Sequence, residues 1–299
     1  MWTLIKSTVE GFVADDAWSR GASIAYFTLF SLAPVLLIVI ATAGLVFGQD
    51  AARGAIVAQL NGLMGTKTAE ALQAMIESAS TPREGLWATL IGMVVIVIAA
   101  SGVFGEVQAA LNAIWKAKPL TSTVTRMVRA RFASLGLVVT CGFLLMVSLA
   151  MSAAIQAFSA YMAGVFPARD LALKGLDFVI SIGLMWGMFA AIYKILPDTP
   201  VAWRDVAIGA LVTTSLFQGG KYLIALYIGQ SDLASSFGAA GALIVLLVWI
   251  FYASLIFLLG AEFTRAYAEI HGSRRKENDA GQGRPEAAGG DSRLSRKQA

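Results

Sequence analysis

The chain has 299 residues, 57% of them hydrophobic and only 14% charged, with a formal net charge of +4 and a mean hydropathy of +0.70. Soluble domains carry about 25% charged residues, so a water-soluble globule would lack the polar surface to cover itself. Lipid as solvent removes that requirement and favours helices, whose backbone polar groups are satisfied within each segment.

In chain order, residues 2–13 come first. Trp2, Ile5, Val9 and Phe12 recur at helical spacing, with Lys6 and Glu10 on other faces. This pattern predicts a short helix lying in the membrane interface, within an N-terminal segment 1–20. No cleavable leader is expected: Asp15, Asp16 and Arg20 precede an uncharged run, 21–49, that is too long for one.

A bilayer span needs about 20 apolar residues. Residues 21–48 form the first predicted span. Pro34 should kink it, since proline removes a backbone hydrogen bond and crowds the preceding turn. Residues 50–80 follow as an amphipathic segment, with Ile56, Leu60 and Leu63, then Leu72, Met75 and Ile76, suggesting two short helices separated near Gly62–Gly65. The second span is placed at 86–110. It ends in a polar stripe of Ser101, Gly105, Gln108 and Asn112. Glu106 lies beside that stripe, next to Gly102 and Ala109. Small residues there would allow close helix approach.

The loop 107–131 carries Lys116, Lys118, Arg126, Arg129 and Arg131. The third span, 132–162, holds Cys141 in an apolar run, where it reads as a small core residue. The fourth, 175–195, contains a 16-residue uncharged stretch between Asp177 and Lys194. The fifth, 206–229, is interrupted by Lys221. The sixth occupies 238–263. Residues 269–299, rich in glycine and mixed charge, are expected to be a disordered tail. The expected fold is thus all-α and polytopic: six transmembrane helices over 21–268, with short amphipathic interfacial helices.

Orientation follows from the Lys/Arg bias. With the basic loop inside, both termini are inside; 17 Lys/Arg fall on that side and five outside, with Lys221 within a span.

Ionisable groups in spans are functional candidates. Thr214, Gln218 and Lys221 share a helix face, and at ~1.5 Å per residue Lys221 stands roughly 22 Å above the inner end of its span. It is either a substrate- or ion-binding lysine, or a structural one paired or snorkelling. Asp232 is the acid nearest to it in depth. Glu106, Gln108, Asn112, Glu262, Arg265 and Pro34 are candidate structural or coupling positions, with Glu262 and Arg265 placed to pair at i, i+3. One histidine, His271, and one cysteine exclude a multi-histidine or cysteine-based metal site. No GxSxG, HExxH or GxxxxGK[ST] pattern occurs, so no catalytic residues, metal, cofactor or nucleic-acid partner are expected.

The stretches GASIAYFTLFSLAPVLLIVIATAGLVFG (21–48), ALNAIW (110–115), ILPDTPVAWRDVAIGAL (195–211), GGKYLIALYIG (219–229) and SSFGAAGALIVLLVWIFYASLIFLLGAEF (235–263) resemble the YihY/virulence factor BrkB family. The likeness runs from about residue 10 to 268. It implies a six-helix protein of the bacterial inner membrane. Members have been linked to serum resistance and proposed as transporters, with lipids among the suggested cargo. A ribonuclease label once attached to the family fits neither the single histidine nor the lack of a carboxylate cluster. Lys221 in GGKY, Glu262 in GAEF and Pro34 in SLAP match the family pattern. The expected function is a transporter or exporter of a lipid-like or amphipathic, anionic substrate in the bilayer. A non-transporting scaffold for envelope assembly is the alternative, an intramembrane enzyme is less favoured, and a homo-oligomer is left open.

Overall fold

A computed structural model describes residues 1–64, 73, 102–117, 147, 150, 169–230 and 239–274. All regular structure among them is helical: α1 (Trp2–Ala14), α2 (Ala17–Phe47), α3 (Gln49–Met64), α4 (102–114), α5 (Arg169–Ile195), α6 (Trp203–Gln230) and α7 (Ala239–Ile270). The expected spans 86–110, beyond its last turns, and 132–162, with the second half of segment 50–80, lie outside the described residues.

The first helix forms where its periodicity places it. Leu4, Thr8 and Gly11 are buried, while Trp2, Ile5, Val9 and Val13 are exposed. Trp2, Ile5 and Val9 of the apolar face are thus directed outward, whereas Phe12 packs against the core, and a second, smaller-residue face packs on α7. A two-residue turn, Asp15–Asp16, then reverses the chain into α2. Asp16 adopts the left-handed conformation there (φ 53°), which aspartate tolerates better than bulky residues.

The axis of α2 turns by 48° between residues 17–32 and 35–41. Pro34 stands in the break, the kink expected of it. Gly48, at φ 88°, ends the helix and lets α3 begin at once.

Helix α7 is the hub: it packs on α6, α2 and α1, while α5 packs on α6. Their contact is a continuous apolar core including Leu111, Trp115, Phe189, Tyr193, Val206 and Leu258. The helices α6 and α7 approach so closely that a Cβ on Gly209 would lie 1.8 Å from Thr264 Oγ1, and one on Gly260 would lie 1.9 Å from Thr213 Oγ1. Small residues let backbones meet in this way. Hydroxyls seal the crossing. Tyr193 donates to the Phe257 carbonyl at 2.7 Å and lies 3.0 Å from Thr213 Oγ1, and Thr213 reaches back to Gly209 O. Tyr193→Phe should therefore lower stability by about 1 kcal/mol, read as a lower melting temperature in detergent with the helix content unchanged.

Outward, α2 exposes Tyr26 and Phe30, α5 exposes Phe178 and Val179, and α6 exposes Tyr222, Leu223 and Leu226. Such an apolar exterior suits acyl chains. Among the described residues, Phe178–Ile195 and Leu243–Ile270 are long and apolar enough to cross a membrane, and the bent α2 makes a third if counted as one span. The expected total of six is not reached within these residues. The fifth expected span does form a helix, α6, but its threonines, Gln218 and Lys221 dilute its apolar character.

The tail boundary at 269 falls too early. Helix α7 continues to Ile270, and residues up to Arg274 are held. Ser273 donates to Asp205 Oδ2 through its backbone N (3.1 Å) and Oγ (2.6 Å), and Arg274 donates to Thr199 Oγ1 at 2.8 Å while its guanidinium lies 5.0 Å from the Trp115 ring. Glycine and mixed charge mark this stretch as tail; those partners lie about 70 residues or more upstream, where local composition carries no trace of them.

Candidate functional site

Two polar sites are set into this apolar bundle. The first surrounds Lys221. Its side chain is partly buried in a crevice between α6 and α7 lined by Phe217, Ile224, Trp249, Tyr252, Ala253 and Ile256. The crevice has room for about one water-sized group. Gly220 makes it possible, since a Cβ there would meet Ile256 Cδ1 at 2.5 Å and Tyr252 Oη at 2.8 Å. The ammonium lies 5.3 Å from the Tyr222 ring centroid, a cation–π distance. No carboxylate forms an ion pair with Lys221 among the described residues, and Asp232 lies outside them. Of the other two residues on its face, Thr214 is buried and donates to Ala210 O at 2.8 Å, so its hydroxyl is committed to its own helix. Gln218 Oε1 is buried with no hydrogen-bond partner, which leaves an acceptor one turn below the ammonium.

The second site lies where α1, α4 and α7 meet. Arg265 Nη1 is 3.2 Å from Asp15 Oδ2 and also donates to Ile114 O at 3.0 Å. Lys116 Nζ reaches the other Asp15 oxygen at 2.5 Å. Arg265 Nε lies 3.6 Å from Glu262 Oε2 and 3.7 Å from Glu269 Oε1. The Asp15 and Arg265 side chains are 9% and 11% exposed, and that of Lys116 is 63% exposed. Lys116 reaches Asp15 because α4 ends in a Schellman turn: Ala117 N donates to Asn112 O at 2.9 Å and Lys116 takes φ 49°. A lysine in a position that favours glycine costs stability, and its ion pair with Asp15 offsets that.

Close by, the polar stripe on α4 finds a partner. Asn112 donates to Asp198 Oδ2 at 2.8 Å and accepts from Asp198 N at 2.8 Å, and Gln108 Nε2 lies 3.3 Å from Asp198 Oδ1. Gln108 and Asn112 of the stripe thus hold the α5–α6 turn. Glu106, beside it, accepts from Ser23 at 2.9 Å and so ties α4 to α2. A Cβ on Gly102 would come within 3.2 Å of Phe27, a close approach, whereas one on Gly105 would meet nothing within 4 Å.

The family model described as virulence factor BrkB matches residues 8–284. The chain belongs to the virulence factor BrkB family. It is 31% identical over 194 residues to a UPF0761 membrane protein of Klebsiella pneumoniae, 64% of either chain. It is 32% identical over 184 residues to the UPF0761 membrane protein YihY of Salmonella arizonae, 60% of either chain. The matched part spans just under two thirds of the length of these relatives. No solved structure matches. The BrkB-family chain is accordingly a membrane protein, and the lipid bilayer is its environment.

In this BrkB-family bundle the sequence pattern finds one pair outright, Glu262 with Arg265, because both lie on one helix. Asp15, Lys116 and Asp198, which complete the sites, were not singled out as site residues. Their partners are 250, 101 and 86 residues away. Their one local signal is position: Asp15 sits at the break between two helical patterns, and Asp198 sits in a proline-flanked turn.

Proposed function

We propose that this BrkB-family chain is a transporter of a lipid-like, anionic amphiphile across the bacterial inner membrane. It crosses that membrane six times with both termini in the cytoplasm, and it is not an enzyme. The observation that carries the reading is Lys221: a cation in an aromatic crevice, free of any carboxylate among the described residues, on a helix whose neighbouring residues Tyr222, Leu223 and Leu226 are exposed. An intramembrane cation is costly unless something compensates it. An anionic headgroup would do so while its acyl chains stayed against the exposed apolar residues. The acceptor on Gln218 adds a hydrogen-bonding position within the same turn. The six-span topology is supported by the charge-free stretches 85–105 and 132–168 beside the described helices, and by the Lys/Arg bias.

Lys221→Met and Lys221→Ala in proteoliposomes should slow movement of a fluorescent anionic phospholipid about 10- to 100-fold, the worth of one charge-assisted hydrogen bond, whereas Lys221→Arg should retain most of it. Unchanged rates in both neutral variants, with the protein still monodisperse, would refute the mechanism. Reporter fusions should place residues 116–131 in the cytoplasm.

A further inference from the structure

Among the described charged residues, Glu262 stands apart. Its side chain has 0% exposure, and neither carboxyl oxygen has a hydrogen-bond partner among the described residues. The backbone of α1 closes over it: a Cβ on Gly11 would lie 2.5 Å from Glu262 Oε2. Its nearest cation, Arg265 Nε, is 3.6 Å away, beyond hydrogen-bonding distance, and is itself without a hydrogen bond. The guanidinium makes its firm contact with Asp15 instead, at 3.2 Å. A buried carboxylate persists when donors surround it; Glu262 has none.

The charged groups that face this position come from each element packed around it. Helix α1 supplies Asp15 at its end, α2 supplies Arg20, whose Nε donates to the Asp15 carbonyl at 2.8 Å, and α4 supplies Lys116. Helix α7 itself supplies Arg265 and Glu269. With Glu262 ionised, three carboxylates would crowd one guanidinium, and among the described residues the mostly exposed Lys116 would be the only other cation paired with any of them. With Glu262 neutral, Asp15 alone balances Arg265 closely, and α1 can lie flat on α7.

We propose that Glu262 is a proton-binding site, occupied when α1 is docked on α7. The step is one proton added to one carboxylate oxygen, taken from hydronium in the solvent at the end of the bundle where Lys116 is exposed and Glu269 partly so; the O–H bond forms and one negative charge is lost. Release of that proton restores the charge next to Asp15 and drives the end of α1 away from α7. Proton binding here does not require the transport reading, and no substrate enters its test.

The test is infrared titration of the full-length protein in lipid nanodiscs, comparing the parent with Glu262→Gln. A carbonyl-stretch band of a neutral carboxylic acid is expected at pH 7 in the parent and should be missing from Glu262→Gln. Because glutamine copies the shape and neutrality of the protonated side chain, Glu262→Gln should also melt no lower than the parent at pH 7. Identical spectra for the two proteins would overturn the proposal. So would failure of Glu262→Gln to fold, which would mean that a charge is required there. A band that disappears with added sodium at fixed pH would also overturn it, assigning the site to a metal cation.

Discussion

Asp15→Ala is expected to destabilise the bundle by about 3 kcal/mol or more, the cost of breaking a buried ion pair by removing one partner. Among the described residues, Asp15 is the sole carboxylate within hydrogen-bonding distance of Arg265, and it also holds Lys116. Without it, the guanidinium keeps Glu262 and Glu269 at 3.6 and 3.7 Å, neither close enough to satisfy it. The joint between α1, α4 and α7 then loses the closest charge pairing of its arginine. The double variant Asp15→Leu with Arg265→Met should recover much of the loss, because two apolar side chains of similar bulk replace a pair whose desolvation roughly cancels its attraction. Melting temperatures in detergent would decide. If the single variant melted with the parent, the network would be ornamental.

The crossing of α6 and α7 should be just as intolerant, for a steric reason. Gly209→Leu must drive a side chain into Thr264, whose Oγ1 would lie 1.8 Å from the new Cβ. Overpacking costs about 1–3 kcal/mol where neighbours can yield; here the obstacle is the facing helix itself, so the loss should reach the upper end or exceed it. Gly260→Leu should behave alike against Thr213. Gly209→Ala combined with Thr264→Gly should be milder than Gly209→Ala alone, since the second change removes the atoms that block the first. Folded yield from membranes and melting temperature are the measurements. Equal loss in the single and double variants would show that the contact does not set the helix separation.

How far the sequence could be read depended on the range of each signal. Charge-free length and hydropathy act locally, and they located α2, α5, α6 and α7 to within several residues. The face pattern of α1 and the kink at Pro34 are likewise local. The tail start was missed because Ser273 and Arg274 are fixed by Asp205, Thr199 and Trp115, none of them near in sequence. Among the site residues, Glu262 and Arg265 lie 3.6 Å apart, as their spacing allows, but the arginine's closer partner is Asp15. The stripe of Gln108 and Asn112 was visible as a stripe, but its purpose was hidden until Asp198 appeared opposite it. Thr214 has the right periodicity for the Lys221 face and yet contributes little to it, because a threonine in a helix can bond its own preceding carbonyl.

Among the described residues, several fastenings between distant segments share one end of the bundle. Asp15, Lys116, Arg265, Asp198, Asp205 and Arg274 gather where α1, α4, the α5–α6 turn and the end of α7 converge. Around Lys221, the described contacts between α6 and α7 are aromatic and aliphatic. Each of the bonds at the shared end fixes distance and direction between segments far apart in sequence, so together they set the register in which α1, α4, the α5–α6 turn and the end of α7 meet.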